Sequence, residues 1–150
     1  TLPWRHETGM QDVVQIDVVF QEPLQDEPVL ETLRSSASEQ GSVHVPPPSL
    51  RFASKAESLA WKLLWLDTDA HKQAKDLYDA ILLAEHVPLP RGLVQRVFAA
   101  KANPWMYESN SQLVRSWVID TQHFALEYPE LSLEGGPRVE RLEKVLRLVE

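Results

Sequence analysis

The sequence of 150 residues is 43% hydrophobic and 25% charged, and its 22 acidic and 15 basic side chains give a net charge of −7. This composition is ordinary for a globular chain that is long enough to bury a hydrophobic core. The acidic balance argues against broad nucleic-acid binding through phosphate neutralisation, although it is compatible with a local basic patch. The lack of cysteine excludes a disulfide framework, a thiol nucleophile and a cysteine-based zinc site.

The N-terminal third contains short stretches typical of β-strands. Residues 12–20 alternate between two faces and form the strongest predicted strand, residues 50–53 predict another, and residues 29–34 predict a short helix. Asp17 lies on the less apolar face of the first of these strands. Its simplest interpretation is a solvent-facing polar position in a half-buried strand.

Residues 54–86 predict two helices joined by an acidic turn. Ser54 and Glu57 match a capping box, which satisfies two backbone amides at the start of a helix. The residues that follow, LAWKLLWL, are apolar on every side of the helix except at Lys62. Because a helix that is apolar all round is normally buried, the Lys62 ammonium must either reach water or meet an anion.

The second of these helices, predicted over residues 70–86, has apolar side chains on one side and charged side chains on the other. Lys72, Lys75, Asp76 and Asp79 share the charged side. Their spacing predicts Lys72–Asp76 and Lys75–Asp79 pairs four residues apart on a solvated surface, which is the structural alternative to a functional role.

The remaining sequence predicts further helices. Asp67 and Asp69 precede the second helix and are predicted to cap its N-terminus, where negative charge is favourable. Ser109 begins another capping box, which opens a predicted helix over residues 109–128, and Pro137 starts the last helix.

These elements together predict an α+β fold. Strands in residues 1–53 would form a small sheet, and residues 54–150 would form a predominantly helical bundle, packed with the strands as one compact domain. No apolar run approaches the roughly 20 residues of a membrane helix, and no signal peptide opens the chain. We therefore expect a cytoplasmic protein.

The segments LAWKLLWL and KDLYDAILLAE carry a resemblance to a known family. They look like the signature of the AbiEii/AbiGii-type nucleotidyltransferases, toxins of bacterial abortive-infection and toxin–antitoxin pairs in the DNA polymerase beta nucleotidyltransferase superfamily. The Leu-x-x-x-Lys helix of this family is matched by Leu59 and Lys62, with one residue fewer between them. Its acidic helix, Arg/Lys-Asp-Leu-Tyr-Asp-Leu, is matched from Lys75 to Asp79, with Ala80 in the last place.

The resemblance implies a Mg²⁺-dependent transfer of a nucleotide from an NTP to an RNA or protein acceptor. By this resemblance, Asp17 would bind the metal, Lys62 would contact the triphosphate, and Asp76 and Asp79 would complete the catalytic site. Mg²⁺ and NTP are thus the implied cofactors, and neither is needed for folding. The implied partners are an antitoxin protein and a tRNA acceptor.

The sequence departs from the family at its first motif, a Gly-Ser followed by Asp-x-Asp, which is absent before Asp17. The Asp-x-Asp at residues 67–69 follows the lysine helix, so we do not assign it as the catalytic pair. We therefore expect either the C-terminal part of a longer enzyme, inactive alone, or a degenerate relative. The alternative function is a non-catalytic helical module that keeps the superfamily fold and binds a protein partner.

Overall fold

A computed structural model of the chain describes residues 2–5, 8–9, 11–14, 23–32, 48–115, 117–132 and 136–149. Within these ranges, four short strands precede seven helices, so the predicted α+β class is confirmed. The strands form two separate antiparallel hairpins, while the buried hydrophobic core lies among the helices.

The first hairpin pairs β1, Leu2–Arg5, with β2, Gln11–Val14, in an antiparallel register. Gly9 lies in the connection with a φ of 90°, a conformation that glycine adopts without steric cost. β2 covers the beginning of the strand predicted over residues 12–20. The rest of that prediction, including Asp17, lies outside the described residues.

The second hairpin pairs β3, Val29–Thr32, with β4, Ser49–Phe52, so that Val29 lies opposite Phe52. The strand predicted near residues 50–53 is therefore confirmed, and the short helix predicted over residues 29–34 is wrong. A short stretch gains little from helix formation because nucleation is costly. Cross-strand apolar pairs such as Val29–Phe52 stabilise the extended alternative.

The helices are α1 Lys55–Thr68, α2 Ala74–Ala84, α3 Arg91–Ala100, α4 Asn110–Val114, α5 Gln122–Glu127, α6 Pro129–Ser132 and α7 Val139–Val149. α1 lies against both α2 and α3, and α7 lies against α2 and α4. Leu59 and Leu63 of α1 are completely buried, as are Leu77 and Ile81 of α2. The apolar periodicity of the two central helices thus faces a shared core, as the sequence predicts.

The start of α1 shows one half of the predicted capping box. The Ser54 hydroxyl accepts a hydrogen bond from the Glu57 amide at 3.1 Å. The Glu57 carboxylate does not complete the box, because its Oε1 accepts a hydrogen bond from the backbone N–H of Gln25 instead. Glu57 is only 1% exposed, so this contact joins the segment before β3 to the first turn of α1.

The helix predicted over residues 109–128 is wrong as a single element. Ser109 does cap α4, with its hydroxyl accepting from the Gln112 amide at 3.1 Å, but α4 ends after five residues. Asp120 then forms an isolated parallel bridge with Gln73, and its carboxylate accepts a hydrogen bond from the Gln122 amide. Local hydrogen bonds from side chains to the backbone compete with helical hydrogen bonds, so the helix is interrupted here and a new helix, α5, begins at Gln122.

None of the helices in the described ranges has both the length and the apolar character that a membrane crossing would require.

Candidate functional site

The contact between α1 and α2 gives Lys62 its partners. α1 ends at Thr68 and α2 begins at Ala74, so the short turn between them places the two helices side by side. The Lys62 ammonium lies 2.6 Å from Asp76 Oδ1 and 3.0 Å from Asp79 Oδ2. The three residues therefore form one cluster between the two helices, which we call the Lys62 cluster.

The Lys62 cluster explains how a cation is accommodated on an apolar helix. Its ammonium donates hydrogen bonds to two carboxylates, and it also lies 5.9 Å from the centroid of the Trp65 ring. The side chains of Lys62, Asp76 and Asp79 retain 20%, 26% and 38% of their exposure. The cluster is consequently desolvated on the helix side and open to solvent on the other.

The electrostatics of the cluster favour the charged lysine. Burial alone would lower the pKa of Lys62, but the hydrogen bonds and negative charges of Asp76 and Asp79 outweigh it and raise the pKa above its ordinary value of 10.5. With two carboxylates around one ammonium, the three side chains carry a net charge of about −1 at neutral pH. A group bearing positive charge would therefore be attracted to this position.

The surface pairs predicted from spacing are not the ones observed. Asp76 and Asp79 pair with Lys62 from the neighbouring helix, whereas the Lys72 ammonium donates to the backbone carbonyls of Asp67 and Asp69 at 3.4 and 3.0 Å. Lys72 thus satisfies carbonyl groups at the C-terminal end of α1, which is a favourable place for a cation.

The Asp67–Asp69 turn does not cap α2. The N-cap of α2 is Gln73, which makes no side-chain capping bond, so the predicted role of these aspartates is wrong. Asp67 Oδ1 instead accepts hydrogen bonds from the Tyr107 hydroxyl at 2.9 Å and from Trp117 Nε1 at 3.2 Å. Both partners come from distant parts of the chain, and no local pattern in the sequence indicated this junction.

The described residues do not supply a magnesium site by themselves. They contain no group of three or more histidine, aspartate or glutamate side chains that could hold a metal ion. Asp76 and Asp79 form a carboxylate pair, but both contact the Lys62 ammonium. Asp17, the metal ligand predicted by resemblance, lies outside the described residues. The structure therefore brings three of the four predicted site residues together, and their catalytic role stays a prediction.

Comparison with known families identifies the class of protein. Residues 1–141 match the sequence model of a family of nucleotidyl transferases described as the AbiEii toxin of type IV toxin–antitoxin systems. The chain belongs to this AbiEii family, and the match extends well beyond the segments LAWKLLWL and KDLYDAILLAE that carry the resemblance in the sequence. No curated protein matches the chain. No solved structure matches it either.

Proposed function

We propose that this chain provides the triphosphate-binding helices of a magnesium-dependent nucleotidyltransferase. The observation that carries the proposal is the Lys62 cluster, in which a lysine on an apolar helix is held by Asp76 and Asp79 and remains partly open to solvent. Family membership supplies the reaction class. In this proposal Lys62 contacts the triphosphate, and the two aspartates hold its ammonium in position before the nucleotide arrives.

The physical argument rests on preorganisation. A lysine is a compact point charge on a flexible stem, and fixing that charge in advance removes part of the cost of ordering it when phosphate binds. The two carboxylates also bring a net negative charge that would repel a triphosphate. Magnesium bound with the nucleotide would offset this repulsion. We retain Asp17 as the proposed metal ligand, on the family resemblance alone.

The acceptor and the partner follow from the family. We propose that the nucleotide is transferred to an RNA or protein acceptor, with the end of a tRNA as the candidate implied by the resemblance. The type IV toxin–antitoxin family implies an antitoxin partner for the chain. The resemblance implies three metal carboxylates, the Asp-x-Asp pair of the first motif and Asp17, and the sequence contains at most Asp17. We therefore expect these 150 residues to bind nucleotide without transferring it.

Calorimetric titration tests the proposal. Each of the four NTPs is titrated with Mg²⁺ into the wild-type chain, Lys62→Ala and Lys62→Arg, with Lys144→Ala as the matched control at an exposed lysine of α7. We expect Lys62→Ala to weaken NTP binding about tenfold or more, because a charge-assisted contact to phosphate is lost. Lys62→Arg keeps the charge and should bind at an intermediate level, whereas Lys144→Ala should bind as the wild type does.

The alternative function predicts a different result. Lys62 has its charge satisfied by two carboxylates without any ligand, as an ion pair that only joins two helices would. If NTP affinity is the same in Lys62→Ala, Lys62→Arg and the wild type, or if no NTP binds, the triphosphate role fails. The non-catalytic interaction module then becomes the better description.

A further inference from the structure

Trp65 lies beside the Lys62 cluster on α1, and it has no role in the function proposed above. It follows Lys62 by three residues, and residues at this spacing are neighbours on the surface of a helix. The Lys62 ammonium lies 5.9 Å from the centroid of the Trp65 ring. A cation within about 6 Å of a tryptophan ring is attracted by the negative charge of the ring face. The ring therefore attracts the ammonium in addition to the two carboxylates.

The Trp65 ring is itself held in place from the core side. Trp61, four residues earlier on α1, is only 5% exposed, and its ring centroid lies 6.2 Å from that of Trp65. Trp65 is half-buried and packs against the hydrophobic core of the helices. A tryptophan has two side-chain torsions, so an indole that rests on a close-packed core has little freedom to move. Trp65 consequently offers Lys62 a fixed surface.

The two carboxylates alone do not fix the orientation of the Lys62 ammonium. An ammonium has three N–H donors. Two of them bond Asp76 Oδ1 and Asp79 Oδ2, and no further oxygen acceptor contacts this ammonium among the described residues. Two hydrogen bonds leave the group free to rotate about the line that joins their acceptors, whereas a third contact restricts that rotation. The Trp65 ring supplies this third contact.

We propose that Trp65 is a positioning residue for Lys62. Its ring keeps the ammonium against Asp76 and Asp79 and orients the remaining N–H donor. The consequence for nucleotide binding rests on the proposed function, in which this donor meets the triphosphate. The positioning itself rests only on contacts of α1 and α2, so it can be measured without any nucleotide.

Nuclear magnetic resonance of the lysine ammonium groups tests the positioning in the nucleotide-free chain. The variants are Trp65→Leu, which removes the aromatic ring, and Trp65→Phe, which retains a smaller one. Trp105→Leu is the matched control, because Trp105 is also half-buried against the helical core but packs against Phe98 and Tyr107. The signal of Lys62 is identified as the one that is absent from Lys62→Arg.

We expect Trp65→Leu to change both the position and the exchange of the Lys62 ammonium signal. The signal should shift, because an aromatic ring alters the resonance of protons held near its face. Exchange of the ammonium protons with water should become about two- to fivefold faster, because the attraction to the ring is lost. Trp65→Phe should lie between Trp65→Leu and the wild type, and Trp105→Leu should match the wild type. Circular dichroism verifies that each variant is folded.

A double-mutant cycle links the positioning to nucleotide binding. In calorimetric titration with Mg²⁺ and NTP, Trp65→Leu should weaken binding about two- to fivefold. The same change should cause no further loss in the Lys62→Ala background, because a positioning residue acts through the lysine. Equal losses in both backgrounds would overturn the inference, since Trp65 would then act on the nucleotide or on the fold independently of Lys62.

The nucleotide-free measurement separates this inference from the proposed function. An ammonium signal and exchange rate that are unchanged in folded Trp65→Leu would overturn the inference, whatever the NTP affinity. If no NTP binds, or if its affinity is independent of Lys62, while the ammonium responds to Trp65→Leu as expected, the proposed function fails and the positioning of Lys62 by Trp65 stands.

Discussion

Asp67 accepts hydrogen bonds from three side chains that lie outside α1. One carboxylate oxygen accepts from Tyr107 and Trp117, and the backbone carbonyl of the same residue accepts from Lys72. The last turn of α1 is thereby joined to the loop before α4 and to the segment that follows it. Hydrogen bonds to a charged acceptor contribute more than neutral ones, so this junction is a point where small changes have measurable effects.

The first prediction concerns Tyr107. Tyr107→Phe removes the hydroxyl donor to Asp67 and should lower the free energy of unfolding by about 1 to 2 kcal/mol at neutral pH, as measured by urea denaturation. Tyr78→Phe is the matched control, because the Tyr78 hydroxyl has no hydrogen-bond partner within the described ranges. It should change the unfolding free energy by less than about 0.5 kcal/mol.

The loss of stability in Tyr107→Phe should depend on pH. Burial, followed by the hydrogen bond and the negative charge of Asp67, raises the pKa of Tyr107 from 10.0 to about 12. The folded state therefore holds this proton more tightly than the unfolded state. The resulting stability is fully present below pH 10 and is lost as the pH rises towards 12. The difference between wild type and Tyr107→Phe should shrink over that interval, and a constant difference would contradict the assignment.

At the scale of elements, α7 shows how the sequence pattern and the fold agree. Leu142 and Leu146 are completely buried against the bundle, whereas Leu148 is 77% exposed. Two ion pairs also join α7 to other parts of the chain. Arg141 lies 2.6 Å from Glu85, and Glu143 lies 2.7 Å from Arg115. Exposed ion pairs contribute little, so the buried leucines should dominate the attachment of this helix.

The second prediction compares two leucines of α7. Leu146→Ala should lower the free energy of unfolding by roughly 2 to 5 kcal/mol, because it removes buried methyl groups and leaves a cavity. Leu148→Ala makes the same chemical change two residues away at an exposed position and should cost less than about 0.5 kcal/mol. Thermal or urea unfolding of the two variants measures the contrast. Similar losses in both would show that α7 does not pack as described.

The elements that could be predicted from the sequence are those with a long apolar period. α1, α2 and α7 repeat buried residues over several turns, so their pattern outweighs local preferences. Residues 29–32 and 117–121 lack such a period, and their conformations depend on partners that lie far away in the chain. Val29 pairs with Phe52, and Asp120 bridges to Gln73. A local sequence pattern cannot predict tertiary pairing of this kind, because the partner lies elsewhere in the chain.

The ion pairs of the Lys62 cluster also depend on contacts between distant parts of the chain. The resemblance selected Lys62, Asp76 and Asp79, but the spacing alone favoured surface pairs within α2. The observed ion pairs join residues 14 and 17 positions apart, and they depend on how the turn orients α2 against α1. The contacts of Asp67 with Tyr107 and Trp117 span 40 and 50 positions and could not be predicted.

At the scale of the whole molecule, burial is unevenly distributed. The helices share the hydrophobic core, whereas every residue of β3 and β4 is exposed. Among the described contacts, two anchors lie just before β3: the Gln25 amide bonded to Glu57, and Asp26 at 2.7 Å from Arg96. The Asp26–Arg96 pair is about half exposed and contributes little. The hairpin should therefore open without unfolding the helices.

The third prediction follows from this difference. In native-state hydrogen exchange near neutral pH, amides of β3 and β4 should exchange at least about 100-fold faster than those around Leu59 and Leu63 in α1. A two-stranded hairpin in which no residue is completely buried is only marginally stable, whereas central α1 amides exchange through opening of the core. Mass spectrometry of proteolytic fragments after exchange resolves the two regions.

A further variant shows which anchor matters for the hairpin. Arg96→Ala removes only the exposed ion pair and should leave the exchange rates of β3 and β4 within about threefold of the wild type. Glu57→Ala removes a buried acceptor and should speed exchange in the hairpin and in the first turn of α1. Hairpin amides protected as strongly as α1 in the wild type would contradict this picture, because strands and helices would then unfold as one cooperative unit.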